Sequence, residues 1–208
     1  MNFIFVKENR DMVEISDRQL EIIEAAGKIL TQSGVSGLTI KNLAKEMKFS
    51  ESAIYRHFAS KEDIVVGMLN YLARRMDMYL SEITRDDKID SGDKFLQIFQ
   101  RQFEFFKQNP QFVVAVFSDG LIEDNQRVNE AILRIMAIKM KHMMPVIMEG
   151  QRSGIFTNQI TADEMLHFVM GAFRLQMFKW RLSSFQFDIV RQGNHMLESL
   201  IILISPKG

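Results

Sequence analysis

Apolar residues recur at helical spacing through most of the chain. In the first such segment, from Ile22 to Leu30, they stand three and four positions apart, which places them on one face of a helix. Ser16 and Gln19 have the spacing of a capping box at the start of this segment. Gly34 and Gly37 follow it and are typical of a helix end. The pattern therefore predicts an amphipathic first helix.

Three further helices are predicted next, and each follows a hydroxyl residue that can cap it. Thr39 precedes the second helix, Ser50 the third and Ser60 a long fourth. The second and third helices are each predicted to have about eight residues, and Lys48 and Phe49 form a tight link between them. Two short helices joined in this way match a helix-turn-helix unit.

A polar, acidic segment from Thr84 to Gly92 separates this region from longer and more apolar helices. The helix that holds Phe95 to Phe106 is apolar around almost its whole girth, which predicts that other helices enclose it. Scarce proline (3 residues) and modest glycine (11 residues) favour long helices over short strands. We expect an all-α fold of about nine helices.

The predicted organisation has three parts. Residues 1–15 show no helical period and are predicted to be a flexible arm, and residues 16–62 form a three-helix DNA-binding head with the helix-turn-helix. Residues 63–208 are predicted to form a larger helical domain, the body. No internal repeat or low-complexity tract interrupts the chain.

The charged residues bear on this predicted organisation through their distribution along the chain and not through their sum. The 26 basic and 26 acidic residues cancel, and a neutral chain argues weakly against nucleic-acid binding. Between Thr39 and Lys61, however, five basic residues stand against two acidic ones. A local excess of cations on a neutral chain fits a DNA-reading head attached to a body with another role.

Composition also indicates the compartment. The chain has no cysteine, which excludes disulfides and thiolate metal sites and is consistent with a reducing compartment. The apolar run Phe3 to Val6 is too short for a signal peptide, and no apolar stretch reaches the ~18 residues of a membrane span. We expect a cytoplasmic protein with no membrane partner.

The third helix carries the residue types of a recognition helix. Ala53, Ile54 and Phe58 form its apolar side. Ser52, Tyr55 and Arg56 have the i, i+3, i+4 spacing of one outward face that can enter a groove about 12 Å wide. Two alternatives stay open at this point: the hydroxyl residues are helix caps only, or Tyr55 is a surface aromatic packed on a neighbour.

The segments Gly37 to Met47 and Phe49 to Ile64 resemble the TetR family of regulators, above all in the run Ala53-Ile-Tyr-Arg-His-Phe followed by Ser60-Lys-Glu. The resemblance covers Ser16 to Leu69, and it implies a regulator that binds a double-stranded DNA operator. Together with the local basic residues, it gives this candidate DNA-binding set: Thr39, Lys41, Ser50, Ser52, Tyr55, Arg56, His57 and Lys61. A structural role for His57 stays open, as does the role of Glu51 beside the outward face.

The resemblance further implies that the body binds a small-molecule effector. Candidate ligand-binding residues are Phe99, Phe103, Phe106, Phe117, Met140, Phe168, Phe173 and Arg174. Each apolar member can instead belong to the core. Polar residues within the apolar helices that could orient a ligand are Gln102, His142, His167, Arg174 and Gln176. His142 and His167 lack a third matched ligand, so no metal site is predicted.

The last two helices are predicted to form a homodimer, and Gly171 and Gly193 could let backbones approach closely. A symmetric dimer would place two heads on a palindromic operator. The leading interpretation is a ligand-released repressor, and the alternative is a ligand-independent activator or architectural DNA-binding protein. No Gly-rich phosphate loop, metal spacing or nucleophile elbow supports an enzyme, so no catalytic residue and no cofactor is predicted.

Overall fold

The computed structural model describes residues 15–117 and 125–206. Within these ranges it has nine helices and no strand, which confirms the predicted all-α fold. The helices are α1 (Asp17–Gly37), α2 (Ile40–Met47), α3 (Glu51–Tyr55), α4 (Lys61–Thr84), α5 (Ser91–Gln108), α6 (Pro110–Phe117), α7 (Gln126–Arg152), α8 (Ala162–Leu182) and α9 (Ile189–Ile204). The predicted arm at residues 1–15 lies, except for its last residue, outside the described residues.

Side chains cap several helices, including those for which the sequence predicts a cap. Ser16 and Gln19 form the predicted capping box at α1, and Thr161 and Glu164 form another at α8. At α4 the hydroxyl of Ser60 accepts a hydrogen bond from the backbone of Asp63 at 3.0 Å. Each cap satisfies a first-turn amide that has no partner inside the helix, which stabilises the helix by about 1 kcal/mol.

Gly34 interrupts the regular geometry of α1. Its φ of 65° and ψ of −167° fall in a region that only glycine adopts readily. One further helical turn follows Gly34, and α1 ends at Gly37.

The chain forms two compact units. Unit 1 contains the described residues up to Arg75 and those from Val114 to Ala137, and unit 2 contains those from Met76 to Val113 and from Ile138 onward. Unit 1 thus extends beyond the head predicted at residues 16–62. It also holds the first part of α4 and the first part of α7.

In unit 1, α2 packs against α1 and α3. The apolar stripe predicted for α1 is buried, as are Leu43 of α2, Ile54 of α3 and Phe58 just after α3. Helix α3 has five residues and not the predicted eight or so. The backbone N–H groups of His57 and Phe58 both donate to the carbonyl of Ile54, at 2.9 and 3.1 Å, in a turn that brings Phe58 into the core. The helix therefore ends at Tyr55.

In unit 2, α9 packs against α5 and α8. The prediction that α5 is enclosed on all sides is wrong. Its phenylalanines are buried on one face, apart from the half-buried Phe105, while Gln97, Gln100, Arg101 and Glu104 are exposed on the other. Polar residues at every third or fourth position leave an amphipathic helix, and the dense run of phenylalanines hid that period. None of the described helices has the length and apolar character needed to cross a membrane.

Gly193 brings α9 close to α5. A Cβ atom at this position would lie 2.5 Å from the Cδ2 and Cε2 atoms of Phe103, which is closer than packed atoms can approach. Gly193 thus makes room for a side chain of its own chain, whereas the sequence analysis expected it to let backbones approach at the dimer interface. At Gly171 a Cβ would meet no atom of the described residues within 4 Å, so this glycine makes no close approach to any of them.

We expect Gly193→Ala to destabilise the protein by about 1–3 kcal/mol, because the added methyl group overlaps the Phe103 ring. The higher helix propensity of alanine, worth about 1 kcal/mol, offsets part of this loss. Chemical denaturation at fixed protein concentration measures the change in free energy of unfolding. In a Phe103→Leu background the loss should shrink, whereas strictly additive effects of the two substitutions would contradict this packing.

Candidate functional site

The turn between α2 and α3 depends on one residue in a left-handed conformation. Lys48 has φ 55° and ψ 39° and ends α2. The next amide, of Phe49, donates to the carbonyl of Ala44 at 2.8 Å, which satisfies a terminal carbonyl of the helix. Ser50 then caps α3. The predicted tight link is therefore present, and it sets the direction of α3 relative to α2.

Helix α3 turns an apolar side to the core and a polar side to the surface. Ile54 is buried, whereas Ser52, Tyr55 and Arg56 are exposed, Tyr55 to 51%. All the residues that the sequence predicts to contact DNA are exposed in unit 1: Thr39, Lys41, Ser50, Ser52, Tyr55, Arg56, His57 and Lys61. The structure thus brings this whole set to the surface around one helix-turn-helix.

The cap hydroxyls remain available for a second role. Thr39 Oγ1 accepts from the backbone of Asn42 at 3.1 Å, and Ser50 Oγ accepts from the backbone of Ala53 at 3.2 Å. Ser50 Oγ also lies 2.9 Å from Ser52 Oγ. Capping uses a lone pair of the oxygen and leaves the hydroxyl hydrogen free to donate. Capping and phosphate binding are therefore compatible at these positions.

Helix α1 contacts both helices of the helix-turn-helix or the segments next to them. Gln19 Nε2 donates to the carbonyl of His57 at 3.3 Å, just after α3. The guanidinium of Arg18 lies 5.2 Å from the ring centroid of Phe49, in the turn before α3. An ion pair between Lys28 and Glu46 joins α1 to α2. Contacts with α1 thus hold the segments on both sides of α3.

An ion pair that the sequence analysis missed lies at the start of α4, beside Lys61. Arg127 of α7 contacts Asp63 at 2.7 Å and Glu62 at 3.5 Å. Desolvation raises the pKa of the Asp63 carboxyl, but hydrogen bonds from Arg127 and Ser60 outweigh it and the net pKa is lowered. Residues so far apart in the chain give no local signal, so spacing did not reveal this contact.

Four of the predicted ligand-binding residues form one aromatic cluster in unit 2. Phe173 of α8 lies at its centre, with ring centroids of Phe99, Phe103 and Phe106 of α5 at 5.6, 5.4 and 6.3 Å. All four side chains are buried. We call these four residues the aromatic cluster.

The structure does not bring the other four candidates into the aromatic cluster. Met140 is half-buried on α7, and Phe117 ends α6 within unit 1. Phe168 is 59% exposed on α8, and Arg174 on the same helix is also exposed. Phe168 and Arg174 therefore do not line an enclosed site within one chain.

A buried lysine at the aromatic cluster is the main functional candidate that the sequence analysis missed. Lys139 of α7 is only 6% exposed, and its Nζ lies 4.0 Å from the ring centroid of Phe173. Desolvation lowers the pKa of its ammonium group to about 7. A signal was present in the sequence, because Lys139 lies four residues from both Ile135 and Met143, which are buried on the apolar face of α7.

The polar residues predicted within the apolar helices differ in their surroundings. Gln102 and Gln176 are buried, whereas His167 is exposed. His142 is buried too, with Nε2 2.6 Å from Asp77 Oδ1 and Nδ1 3.3 Å from Thr84 Oγ1. Both ring nitrogens are thus occupied, which gives His142 a structural role.

Helices α8 and α9 expose large apolar side chains. Ile202 of α9 is the most exposed of them, at 77%. The set consists of Phe168, Leu175, Phe178, Leu182, Ile202 and Leu203. Exposed apolar side chains grouped on two neighbouring helices are typical of a protein–protein interface. We call this set the apolar face.

Comparison with known proteins agrees with these features. The family model described as bacterial regulatory proteins, tetR family, matches residues 22–68, and the model described as YsiA-like protein, C-terminal region, matches residues 72–203. The nucleoid occlusion factor SlmA of Vibrio campbellii is 27% identical over 118 residues. That match spans 56% of this chain and 60% of the length of SlmA.

Solved structures share the fold over nearly the whole chain. The fatty acid degradation regulator FadR from Bacillus halodurans superimposes with a TM-score of 0.80 at 16% identity, covering 91% of this chain and 97% of FadR. The transcriptional regulator FadR from Bacillus subtilis, in complex with stearoyl-CoA, gives a TM-score of 0.73 at 20% identity, covering 88% and 97%. With both family models matched along the sequence, the chain belongs to the TetR family of DNA-binding transcriptional regulators.

Proposed function

We propose that this protein is a homodimeric repressor that binds a palindromic DNA operator and is released by a small apolar or aromatic ligand. The observation that carries the proposal is the helix-turn-helix of α2 and α3, around which every candidate contact residue is exposed. Residues 16–62 would read DNA in this proposal, and residues 63–208 would bind the ligand and the partner chain.

The candidate contacts divide into two roles. Ser52, Tyr55 and Arg56 on the outer face of α3 would enter the major groove. The remaining candidates would hold the DNA backbone, since hydroxyl and cationic side chains donate to phosphate oxygens. They are Thr39, Lys41, Ser50, His57 and Lys61. Zero net charge does not oppose this proposal, because the cations of the head are exposed where phosphates would lie.

Homodimerisation would occur through the apolar face of α8 and α9. Two copies of this face would remove its large side chains from water in a two-fold interface, and apolar burial is worth about 25 cal/mol per Å². Phe168 would then lie in the dimer interface and would not contact the ligand. Two linked heads would bind the two halves of a palindromic site.

The ligand would bind at the aromatic cluster of unit 2, and Met140, half-buried and next to Lys139 in the sequence, remains a candidate contact. Aromatic side chains with a few buried polar groups are typical of small-molecule sites. The transcriptional regulator FadR from Bacillus subtilis has a similar fold and was solved in complex with stearoyl-CoA, which supports a ligand with an apolar chain. The packing of the aromatic cluster, with ring centroids 5.4–6.3 Å apart, also fits the alternative of a DNA-binding protein without a ligand.

Selection of bound sequences from random duplex DNA tests the main proposal. The selected sites should contain two inverted half-sites about one helical turn apart. Fluorescence anisotropy with that DNA then measures affinity with and without apolar and aromatic compounds that raise the melting temperature. Loss of DNA affinity on ligand binding supports the repressor, whereas unchanged affinity favours ligand-independent binding. Selection that enriches no sequence would contradict specific recognition.

We expect Lys61→Ala to weaken binding to all DNA sequences and to reduce the slope of log affinity against log salt by about 1, because one phosphate contact is lost. Anisotropy titrations at several salt concentrations measure this slope. Lys88→Ala, which removes an exposed lysine of unit 2, is the matched control and should leave the slope unchanged. An equal slope for Lys61→Ala and the native protein would show that Lys61 contacts no phosphate.

We expect Tyr55→Ala to lower affinity for the selected operator about tenfold or more, since a contact at the groove is worth about 1–3 kcal/mol. Its side chain is exposed, so the melting temperature should change little. The oligomeric state should also stay the same. Native operator affinity in this variant would contradict the assignment of α3 as the recognition helix.

We expect Ile202→Arg to convert the dimer into a monomer, because it places a charge in the apolar face. Operator affinity should fall by about a hundredfold or more, since the two heads no longer bind as one unit. Sedimentation velocity measures the mass and anisotropy the affinity. Met148→Arg changes an exposed methionine on α7, outside the apolar face, and should leave both unchanged. Dimers that persist in Ile202→Arg would locate the interface elsewhere.

A further inference from the structure

Lys139 carries an unpartnered ammonium group inside unit 2. No hydrogen bond or ion pair joins it to any residue that the structure describes, and its one recorded interaction is with the face of the Phe173 ring. A ring face offsets only part of the free energy that a cation loses on leaving water. A lysine placed this way is not explained by the stability of the fold.

A second polar group without a full set of partners borders the aromatic cluster. Gln102 of α5 is fully buried, and its Nε2 donates to the carbonyl of Ile98 at 3.2 Å. Its Oε1 is buried and has no hydrogen-bond partner within residues 15–117 and 125–206. Gln102 lies three residues after Phe99 and four before Phe106, so it shares their helix face. Both of those rings contact Phe173, the ring beneath Lys139.

The chemistry of these groups restricts what can bind. Lys139 offers N–H donors and a positive charge, and four phenylalanine rings offer apolar surface. A single buried cation in such surroundings matches a ligand with one negative charge on an apolar body. A carboxylate meets this requirement, since its oxygens accept charge-assisted hydrogen bonds. A neutral alcohol or ester does not.

We propose that Lys139 binds the carboxylate of an apolar carboxylic acid whose body lies against the aromatic cluster. This inference rests on the proposed ligand site and adds the chemical class of its ligand. Burial alone lowers the pKa of the lysine to about 7, so the anion would restore the charged form. A hydroxyl group on the ligand would in addition satisfy the free oxygen of Gln102.

Matched acids and alcohols test the proposal by isothermal titration calorimetry on the full-length protein. Suitable pairs are decanoate with decanol and 4-phenylbutyrate with 4-phenylbutanol. The native protein should bind each acid about tenfold or more tightly than its alcohol, as expected for a hydrogen bond to a charged group. Lys139→Met should bind the alcohols like the native protein and lose the preference for acids.

The outcomes separate this proposal from the one on which it rests. Equal affinity for acids and alcohols in the native protein would overturn the carboxylate assignment and leave the apolar ligand site standing. A preference for acids that persists in Lys139→Met would overturn the role of Lys139. Binding of neither class would overturn the ligand site and this inference together. Lys179→Met, which removes an exposed lysine of α8, should keep the preference and so excludes general attraction of anions.

The stability of Lys139→Met provides an independent check. The pKa of Lys139 in the folded protein is depressed to about 7, so the buried charge has its full destabilising effect below that pH. Lys139→Met should therefore have a raised melting temperature at pH 6, and its advantage should shrink as the pH rises from 7 towards 10. A lowered melting temperature at pH 6 would show that the lysine has a structural partner and would overturn the proposal.

Discussion

The recognition helix depends on contacts from outside itself. A five-residue helix is too short to persist alone in water, because helix nucleation is unfavourable and little is gained by elongation. The buried side chains of Ile54 and Phe58, together with the hydrogen bond from Gln19 of α1 to the turn after α3, hold it in place. These contacts lie on the inner side of α3, so the exposed side chains of Ser52, Tyr55 and Arg56 are not needed to hold the helix against the core, as their proposed contact with DNA requires.

Local sequence patterns predicted those structural features that depend on residues close together in the chain. The cap at Ser16 follows from Gln19 three positions on, and the cap at Thr39 follows from a hydroxyl residue just before an apolar pattern. The tight link at Lys48 follows from two helix patterns that end and begin there. The exposure of the whole candidate DNA-binding set could be predicted for the same reason. Apolar residues of short helices mark the inner side, and what remains must face water.

Features that depend on distant parts of the chain could not be predicted in this way. The early end of α3 comes from the burial of Phe58, and the polar face of α5 was hidden by the density of its phenylalanines. The ion pair of Arg127 with Asp63 joins two helices whose pairing no spacing reveals. Of the predicted ligand-binding residues, only Phe99, Phe103 and Phe106 of α5 and Phe173 of α8 lie together. The sequence could not single them out, because tertiary packing decides which apolar side chains meet.

Two polar side chains of α7 show how a structural role differs from a functional one. His142 and Lys139 lie three residues apart, and both are buried. His142 has Asp77 and Thr84 at its two ring nitrogens, so its burial costs little free energy. Among the residues that the structure describes, Lys139 contacts only the face of the Phe173 ring, and its burial destabilises the fold. Because Lys139 weakens the fold and lies at the aromatic cluster, it is the candidate for a functional role, which the proposed carboxylate ligand supplies.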